Sequence, residues 1–245
     1  MPTRGIIVAL LFISTCCFLQ EGAAPSPVSA ADPPKVYGEW RIRVRPDRGA
    51  VYSQLIKEKG LPLFREAGGR MVGWWTTLIG DLYEHVTIWE YDGMPAFEKA
   101  VQFLGADERF AKFVSLRDPL LIGEESRFLR LASFAEKPAL PQPGKLVIHE
   151  THRVPPAQMA AHLKLLAEAI PVLKEHKFRL VGPWATEVGK WSEVTLLFCF
   201  ESLSERDRLN SAYLADPDGK RCSEKLLDLV DEVTTRLLVP AAFAQ

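Results

Sequence analysis

The sequence is poor in cysteine and carries no excess of charge of either sign. Only four of its 245 residues are cysteine, and 30 basic residues stand against 31 acidic ones. Binding to nucleic acid requires a concentrated basic face, and attachment to an anionic membrane surface requires a polybasic patch. We therefore expect no nucleic acid among the partners of this protein.

The familiar signatures of catalysis and metal binding are also missing. The sequence has no glycine-rich phosphate loop, no nucleophile elbow and no catalytic arrangement of cysteine and histidine. His149 and His152 lie three residues apart on a predicted strand, so they face opposite sides and make poor joint metal ligands. His162 and His176 fall on a charged helix, where solvent exposure is expected. We predict no catalytic residue, no metal site and no cofactor.

Residues 1–30 predict a signal peptide. Arg4 precedes an apolar run over residues 6–19, which suits the core of a signal peptide and is too short to span a bilayer comfortably. Small residues follow, and residues 28–30 resemble a cleavage site. We therefore expect export, to the periplasm or out of the cell, with no stable membrane span after processing.

The cysteines allow a second interpretation of the N-terminus. Lipid attachment at Cys16 or Cys17 would anchor the exported protein, although Thr15 is unfavourable next to a lipidation site. Cleavage would remove both cysteines and leave Cys199 on an apolar strand and Cys222 on a predicted helix. These two are expected to be buried free thiols, with one disulfide between them as the alternative.

Residues 72–91, VGWWTTLIGDLYEHVTIWEY, have the pattern of a hairpin. Tryptophan and threonine suit a half-buried strand, and Gly80 suits a turn that requires a positive φ. Four side chains of the second strand share one face by alternation: His85, Thr87, Trp89 and Tyr91. The same phrase returns at residues 181–200 as VGPWATEVGKWSEVTLLFCF.

The two phrases belong to a longer internal repeat. Identical residues recur 109 positions apart in helices, strands and turns, including Trp75 and Trp184, Gly80 and Gly189, Glu84 and Glu193, and Arg127 and Arg236. Each half follows the order β-α-β-β-α-β, in which Pro62 is expected to kink or interrupt the last turn of the first helix and residues 125–133 form the last strand. We therefore predict two duplicated domains, residues 36–134 and 146–243, joined by a proline-rich linker at 135–145.

This order predicts an α+β fold made of two ferredoxin-like units. In such a unit the helices cover only one face of the sheet. Residues 194–200 are apolar on both faces of their strand, so the second face must be buried as well. Two sheets that bury their free faces against each other form an α/β barrel. The sequence leaves open whether the units pair within one chain, as a pseudo-dimer, or between two chains, as a homodimer.

Three segments resemble the NIPSNAP family: the hairpin at 72–91, Ala-Asp-Glu-Arg-Phe at 106–110 and Glu-Ser-Arg-Phe-Leu at 125–129. The resemblance covers nearly all of residues 36–243 and implies the dimeric α/β-barrel fold, with two tandem units. It departs in the first strand, where residues 38–42 replace the family's Glu-Leu-Arg-x-Tyr pattern. Members are known mainly as interaction or signalling proteins without an established reaction. The wider fold includes cofactor-free monooxygenases and haem enzymes.

One face of the hairpin is the best candidate for a ligand site. Its residues are His85, Thr87, Trp89 and Tyr91, with Trp75 or Trp74 across the hairpin. Around a barrel cavity, imidazole, phenol and indole groups can orient a small planar ligand. The alternative is a hydrogen-bonded histidine beside the aromatic residues of an ordinary core. The second unit has Val194 in place of His85, so the site would belong to the first unit alone.

We therefore expect an exported, non-catalytic barrel that binds a small molecule or a protein. One alternative is a cofactor-independent monooxygenase-like enzyme that uses the cavity of the first unit. Another is an assembly module that uses the free sheet face for self-association. Glu84 and Glu193 are expected to pair with Arg127 and Arg236, which repeat with them, rather than to act as acid–base catalysts.

Overall fold

A computed structural model describes residues 34–138 and 145–244 of the chain. The predicted signal peptide, with Cys16 and Cys17, and the middle of the predicted linker lie outside these residues. Among the residues described, no helix is both long enough and apolar enough to cross a membrane.

Each half of the chain has the element order that the repeat predicts. The first unit consists of β1 (Val36–Val44), α1 (Gly49–Leu55), α2 (Leu61–Glu66), β2 (Arg70–Ile79), β3 (Glu84–Tyr91), α3 (Met94–Ala106), α4 (Glu108–Arg117) and β4 (Leu121–Leu131). The second unit consists of β5 (Leu146–Arg153), α5 (Met159–Glu175), β6 (Arg179–Val188), β7 (Glu193–Phe200), α6 (Leu203–Ala215), α7 (Pro217–Asp228) and β8 (Glu232–Pro240).

The first helical region of the first unit contains one residue more than its counterpart. Glu39 and His149 occupy the same position of their first strands, 110 residues apart, whereas later elements keep the offset of 109. One π-helical turn, Ile56–Gly60, lies between α1 and α2 and absorbs the extra residue. Pro62 follows at the start of α2, so the α-helical pattern is interrupted directly before this proline.

The eight strands form one closed antiparallel barrel within the chain. Their order around the barrel is β1-β3-β2-β8-β5-β7-β6-β4, closing from β4 back to β1. Each unit supplies a four-stranded sheet, and the sheets join where β2 pairs with β8 and β4 pairs with β6. Of the two arrangements that the sequence left open, this barrel is the pseudo-dimer within one chain.

The strands bury both faces, and the inner face forms the core of the barrel. That core comprises Tyr37, Val72, Trp75, Val86, Ile88, Leu129, Val147, Val181, Trp184, Leu197, Cys199 and Leu238. Trp75 requires Gly73, because a Cβ there would lie 2.1 Å from the indole ring. Gly182 has the same relation to Trp184, at 2.6 Å. The helices of each unit cover the outer face of its sheet.

The structure also corrects one strand and settles the state of two cysteines. β4 begins at Leu121 rather than at the predicted Glu125, because a 3-10 turn, Asp118–Leu120, leads from α4 directly into the strand. Cys199 and Cys222 are both buried and both carry free thiols. Cys199 fills space inside the barrel, as expected of a small apolar side chain.

Candidate functional site

The predicted ligand face of the hairpin lies beneath the helices and not inside the barrel. Trp89 and Tyr91 belong to the cluster that packs under the helices of the first unit, together with Trp74. His85 and Thr87 alternate onto the same side of β3. The predicted barrel cavity around these residues is therefore corrected to a cavity between the sheet and the helices.

Trp75 does not share this face, which corrects its grouping with the four hairpin residues. It points into the barrel core, whereas its neighbour Trp74 occupies the position across from β3 on the helix side. In the register of β2 against β3, Trp74 pairs with Thr87 and Trp75 pairs with Val86. Adjacent strand residues face opposite sides, so the register that the turn sets decides which tryptophan shares the face of His85, and the sequence left both open.

A cavity of about 320 Å³ lies between the sheet and the helices of the first unit. Its walls are formed by Trp40, Ile42, Tyr52, Ile56, Phe64, Trp74, Thr87, Trp89, Tyr91, Phe97, Ala100, Val101, Leu104, Phe110, Phe113, Arg117 and Glu124. Most of these side chains are aromatic or aliphatic. The charged pair among them, Arg117 and Glu124, is joined by a 3.0 Å salt bridge. The cavity therefore favours a largely apolar molecule.

Two polar atoms in the cavity wall are buried without a partner among the described residues. These are the Tyr52 hydroxyl and the Trp74 indole Nε1. By contrast, the Thr87 hydroxyl donates to the Gly73 carbonyl at 3.0 Å. A buried unsatisfied donor costs about 1–3 kcal/mol, so a bound molecule with a hydrogen-bond acceptor would stabilise the site.

His85 packs against Tyr52 of the cavity wall. Its ring lies 4.9 Å from the Tyr52 ring, centroid to centroid, and its Nδ1 lies 3.3 Å from the Thr76 hydroxyl. Burial lowers the pKa of His85 to about 4, so the imidazole is neutral at physiological pH. His85 thus contacts a residue of the cavity wall.

The second unit has a cavity at the equivalent place, of about 250 Å³. Apolar and aromatic side chains form most of its wall, and its polar members are Glu150, His152, Arg206, Asn210, Tyr213 and Ser223. Glu150 Oε1 lies 2.6 Å from His152 Nε2, and His152 Nδ1 lies 3.2 Å from His162 Nε2. The sequence did not reveal this hydrogen-bonded chain.

His162 is fully buried, so its predicted exposure is wrong. It lies on the stripe of α5 that packs against the sheet, with Leu165, Leu166, Ala169 and Leu173. That stripe has the helical spacing of a buried face, which is the signal that could have placed His162 inside. His149 and His152 do face opposite sides of β5, as predicted. In the described chain no cluster of three or more histidine, cysteine, aspartate or glutamate side chains has the arrangement of a metal site.

A network of buried charges occupies one layer of the barrel interior. Glu39 is fully buried and accepts hydrogen bonds from Arg127 Nε at 3.0 Å, from Arg41 Nε at 3.0 Å and from His149 Nε2 at 3.2 Å. Burial opposes ionisation of Glu39, but Arg127, His149 and Arg41 outweigh it and hold its pKa well below the usual range. The Glu39 side chain is therefore a carboxylate that neutralises the surrounding cations.

The repeated glutamates and arginines form ion pairs between the two units, which confirms the predicted pairing. Arg127 of the first unit binds Glu193 of the second. Arg236 of the second unit binds Glu84 of the first, with 3.1 Å between Nε and Oε1. Each unit contributes one partner to each ion pair. This reciprocal pairing explains why the glutamate and the arginine both recur at the same offset.

Comparison with known proteins agrees with this architecture. The NIPSNAP family model matches the chain twice, over residues 39–136 and 150–245. The Drosophila melanogaster protein NipSnap is 27% identical over 227 residues, covering 85% of this chain and 78% of that protein. The mouse protein NipSnap homolog 2 is 23% identical over 202 residues, covering 80% of this chain and 71% of that protein.

The fold also occurs in more distant proteins. A crystal structure of a candidate monooxygenase from Fusobacterium nucleatum superposes with a TM-score of 0.66, covering 85% of this chain and 93% of that chain. At 10% sequence identity, this likeness concerns the fold alone. The two matches of the family model together span most of the chain and coincide with its two sheet-and-helix units. The chain therefore belongs to the NIPSNAP family.

Proposed function

We propose that the protein is an exported binding protein that holds a small, flat, largely apolar molecule in the cavity of its first unit, without catalysis. The observation that carries this proposal is the pair of unpartnered buried groups, the Tyr52 hydroxyl and Trp74 Nε1, in an aromatic wall. A volume of about 320 Å³ suits a molecule of one or two rings. Ring faces on the wall favour a flat ligand, and the two donors favour a carbonyl or ether oxygen on it.

Coumarin is a suitable probe, because it is flat and carries a lactone with two acceptor oxygens. Naphthalene has a similar size and no acceptor. We expect the full chain to bind coumarin more tightly than naphthalene in calorimetric titration. Trp74→Phe should weaken coumarin binding roughly five- to tenfold, the value of one hydrogen bond, and leave naphthalene binding unchanged.

Two further variants locate the site. Ala100 is buried in the cavity wall, and Ala100→Leu should fill the space and abolish binding of both probes. Trp75→Phe makes the same chemical change as Trp74→Phe at the adjacent residue, on the barrel side, and should leave both affinities unchanged. Coumarin binding that survives Ala100→Leu would contradict the proposal.

A second candidate function is oxygenation of the bound molecule without a cofactor. The observation behind it is the position of His85, a neutral imidazole whose ring contacts the Tyr52 ring of the wall. The test is dioxygen consumption with a dihydroxynaphthalene as substrate. Consumption that His85→Ala abolishes, in a variant that still binds coumarin, would replace the binding function with an enzymatic one.

A further inference from the structure

The cavity of the second unit combines aromatic walls with one carboxylate. Phe178 lies at the centre of the aromatic group, with its ring centroid 5.9 Å from Phe198, 6.0 Å from Phe200 and 5.8 Å from Tyr213. The carboxylate belongs to Glu150, whose side chain keeps 24% of its surface exposed. Aromatic faces and a carboxylate both attract cations, and together they form the usual environment for a bound organic ammonium group.

The charge of Glu150 is not neutralised by the other ionic group of the wall. Arg206 lies on α6 and directs Nη1 to Asp207 Oδ1 at 2.9 Å. Within residues 34–138 and 145–244, the ionic contact of Glu150 is with His152 Nε2. Among the described residues, Glu150 therefore makes no ion pair with an arginine or a lysine.

Glu150, His152 and His162 form a hydrogen-bonded chain at the wall of this cavity. Burial, and then the neighbouring His152, lower the pKa of His162 to about 4, so His162 is neutral at physiological pH. An ionised Glu150 at 2.6 Å from His152 Nε2 requires the proton on that nitrogen. The 3.2 Å contact between His152 Nδ1 and His162 Nε2 continues the chain onto α5. The two histidines thus hold the carboxylate in position.

From this geometry we propose that the second-unit cavity is a separate site for an organic ammonium ion with an aromatic or alkyl body. Glu150 is its counter-ion, and the aromatic group around Phe178 holds the body of the ligand. His152 and His162 are positioning residues that act through Glu150.

The first unit has no equivalent of this site. Trp40 and Tyr52 occupy the positions of Glu150 and His162, each 110 residues earlier in the chain. The carboxylate in the wall of the first cavity, Glu124, is joined to Arg117. The two cavities therefore select different ligands, one neutral and one cationic.

The test uses the full chain and two probes of the same shape, 2-phenylethylammonium and 2-phenylethanol, in calorimetric titration near neutral pH. We expect the ammonium ion to bind more tightly than the alcohol. Glu150→Gln should weaken ammonium binding roughly tenfold or more, as for loss of a charge-assisted hydrogen bond, and leave alcohol binding unchanged. Glu224→Gln removes the same charge from an exposed position on α7 and should change neither affinity.

The positioning role is tested at His162. His162→Phe should weaken ammonium binding severalfold while alcohol binding reports an intact cavity, and His162→Gln, which restores an N–H donor, should recover the affinity. Equal affinity of the two probes for the unaltered chain would overturn the proposal. So would ammonium binding that is insensitive to Glu150→Gln and lost in Ala100→Leu, because the ion would then occupy the first unit.

Discussion

Replacing Glu39 with alanine is expected to lower the free energy of unfolding by about 3–5 kcal/mol, because two largely buried arginines, Arg127 and Arg41, would then share one remaining carboxylate, that of Glu193. Glu39 accepts hydrogen bonds from Arg127, Arg41 and His149 in the barrel interior. Removing one member of a buried ionic network costs far more than the network contributes in net stability. The change is measured by urea unfolding followed by circular dichroism.

An exposed ion pair is the appropriate control for this prediction. Glu187 binds Arg130 at 2.7 Å on the outside of the barrel, where both side chains are partly exposed. Glu187→Ala should cost less than about 1 kcal/mol. The double variant Glu39→Leu, Arg127→Met replaces both partners with apolar side chains and should recover part of the loss. If Glu39→Ala costs no more than Glu187→Ala, the buried network does not stabilise the barrel.

The features that were predictable from the sequence are those that depend on periodicity and on the repeat. Alternation along β3 and β7 predicted the strands, and the offset of 109 predicted two similar units and the recurrence of Glu84 and Glu193 with their arginines. These signals are local or purely arithmetical. They required no knowledge of which face of a strand is inside the barrel.

The choice of face could not be made from the sequence, because the strands are buried on both sides. One face of β3 is covered by helices and the other by the opposite sheet. Alternation therefore divides its residues into two sets but does not show which set faces the barrel interior. This is why the ligand face was assigned to the barrel interior, and why Trp75 was grouped with a face on which Trp74 lies. The face that packs under the helices emerges only from the tertiary structure.

Contacts between the two units were also beyond the reach of the sequence. Glu39 and His149 sit at equivalent positions of β1 and β5 and meet across the barrel through one hydrogen bond. Since their partner lies 110 residues away and is a different residue type, no repeat or spacing indicates the pair. His162 differs, because it shares the helical spacing of Leu165, Leu166, Ala169 and Leu173, and that spacing could have placed it inside.

Acidification from pH 6.5 to pH 5 is expected to lower the free energy of unfolding by about 2 kcal/mol for each of two buried histidines. His85 and His162 have pKa values of about 4 in the folded protein, because burial disfavours the imidazolium, against about 6.5 in the unfolded chain. Below pH 6.5 the unfolded state takes up protons that the folded state does not. Their contribution is therefore complete above pH 6.5 and is lost as the pH falls toward 4.

The dependence on pH separates these histidines from ordinary packing residues. We expect His85→Gln combined with His162→Gln to flatten the plot of unfolding free energy against pH between 6.5 and 5, whatever the variant's stability at pH 7. Ile56 is buried and does not titrate, so Ile56→Val should lower stability by about 1 kcal/mol equally at every pH. An unchanged slope in the double histidine variant would mean that both side chains can be protonated in the folded protein. A protonated His162 would then place a positive charge behind Glu150 and oppose the binding of an ammonium ion in the second cavity.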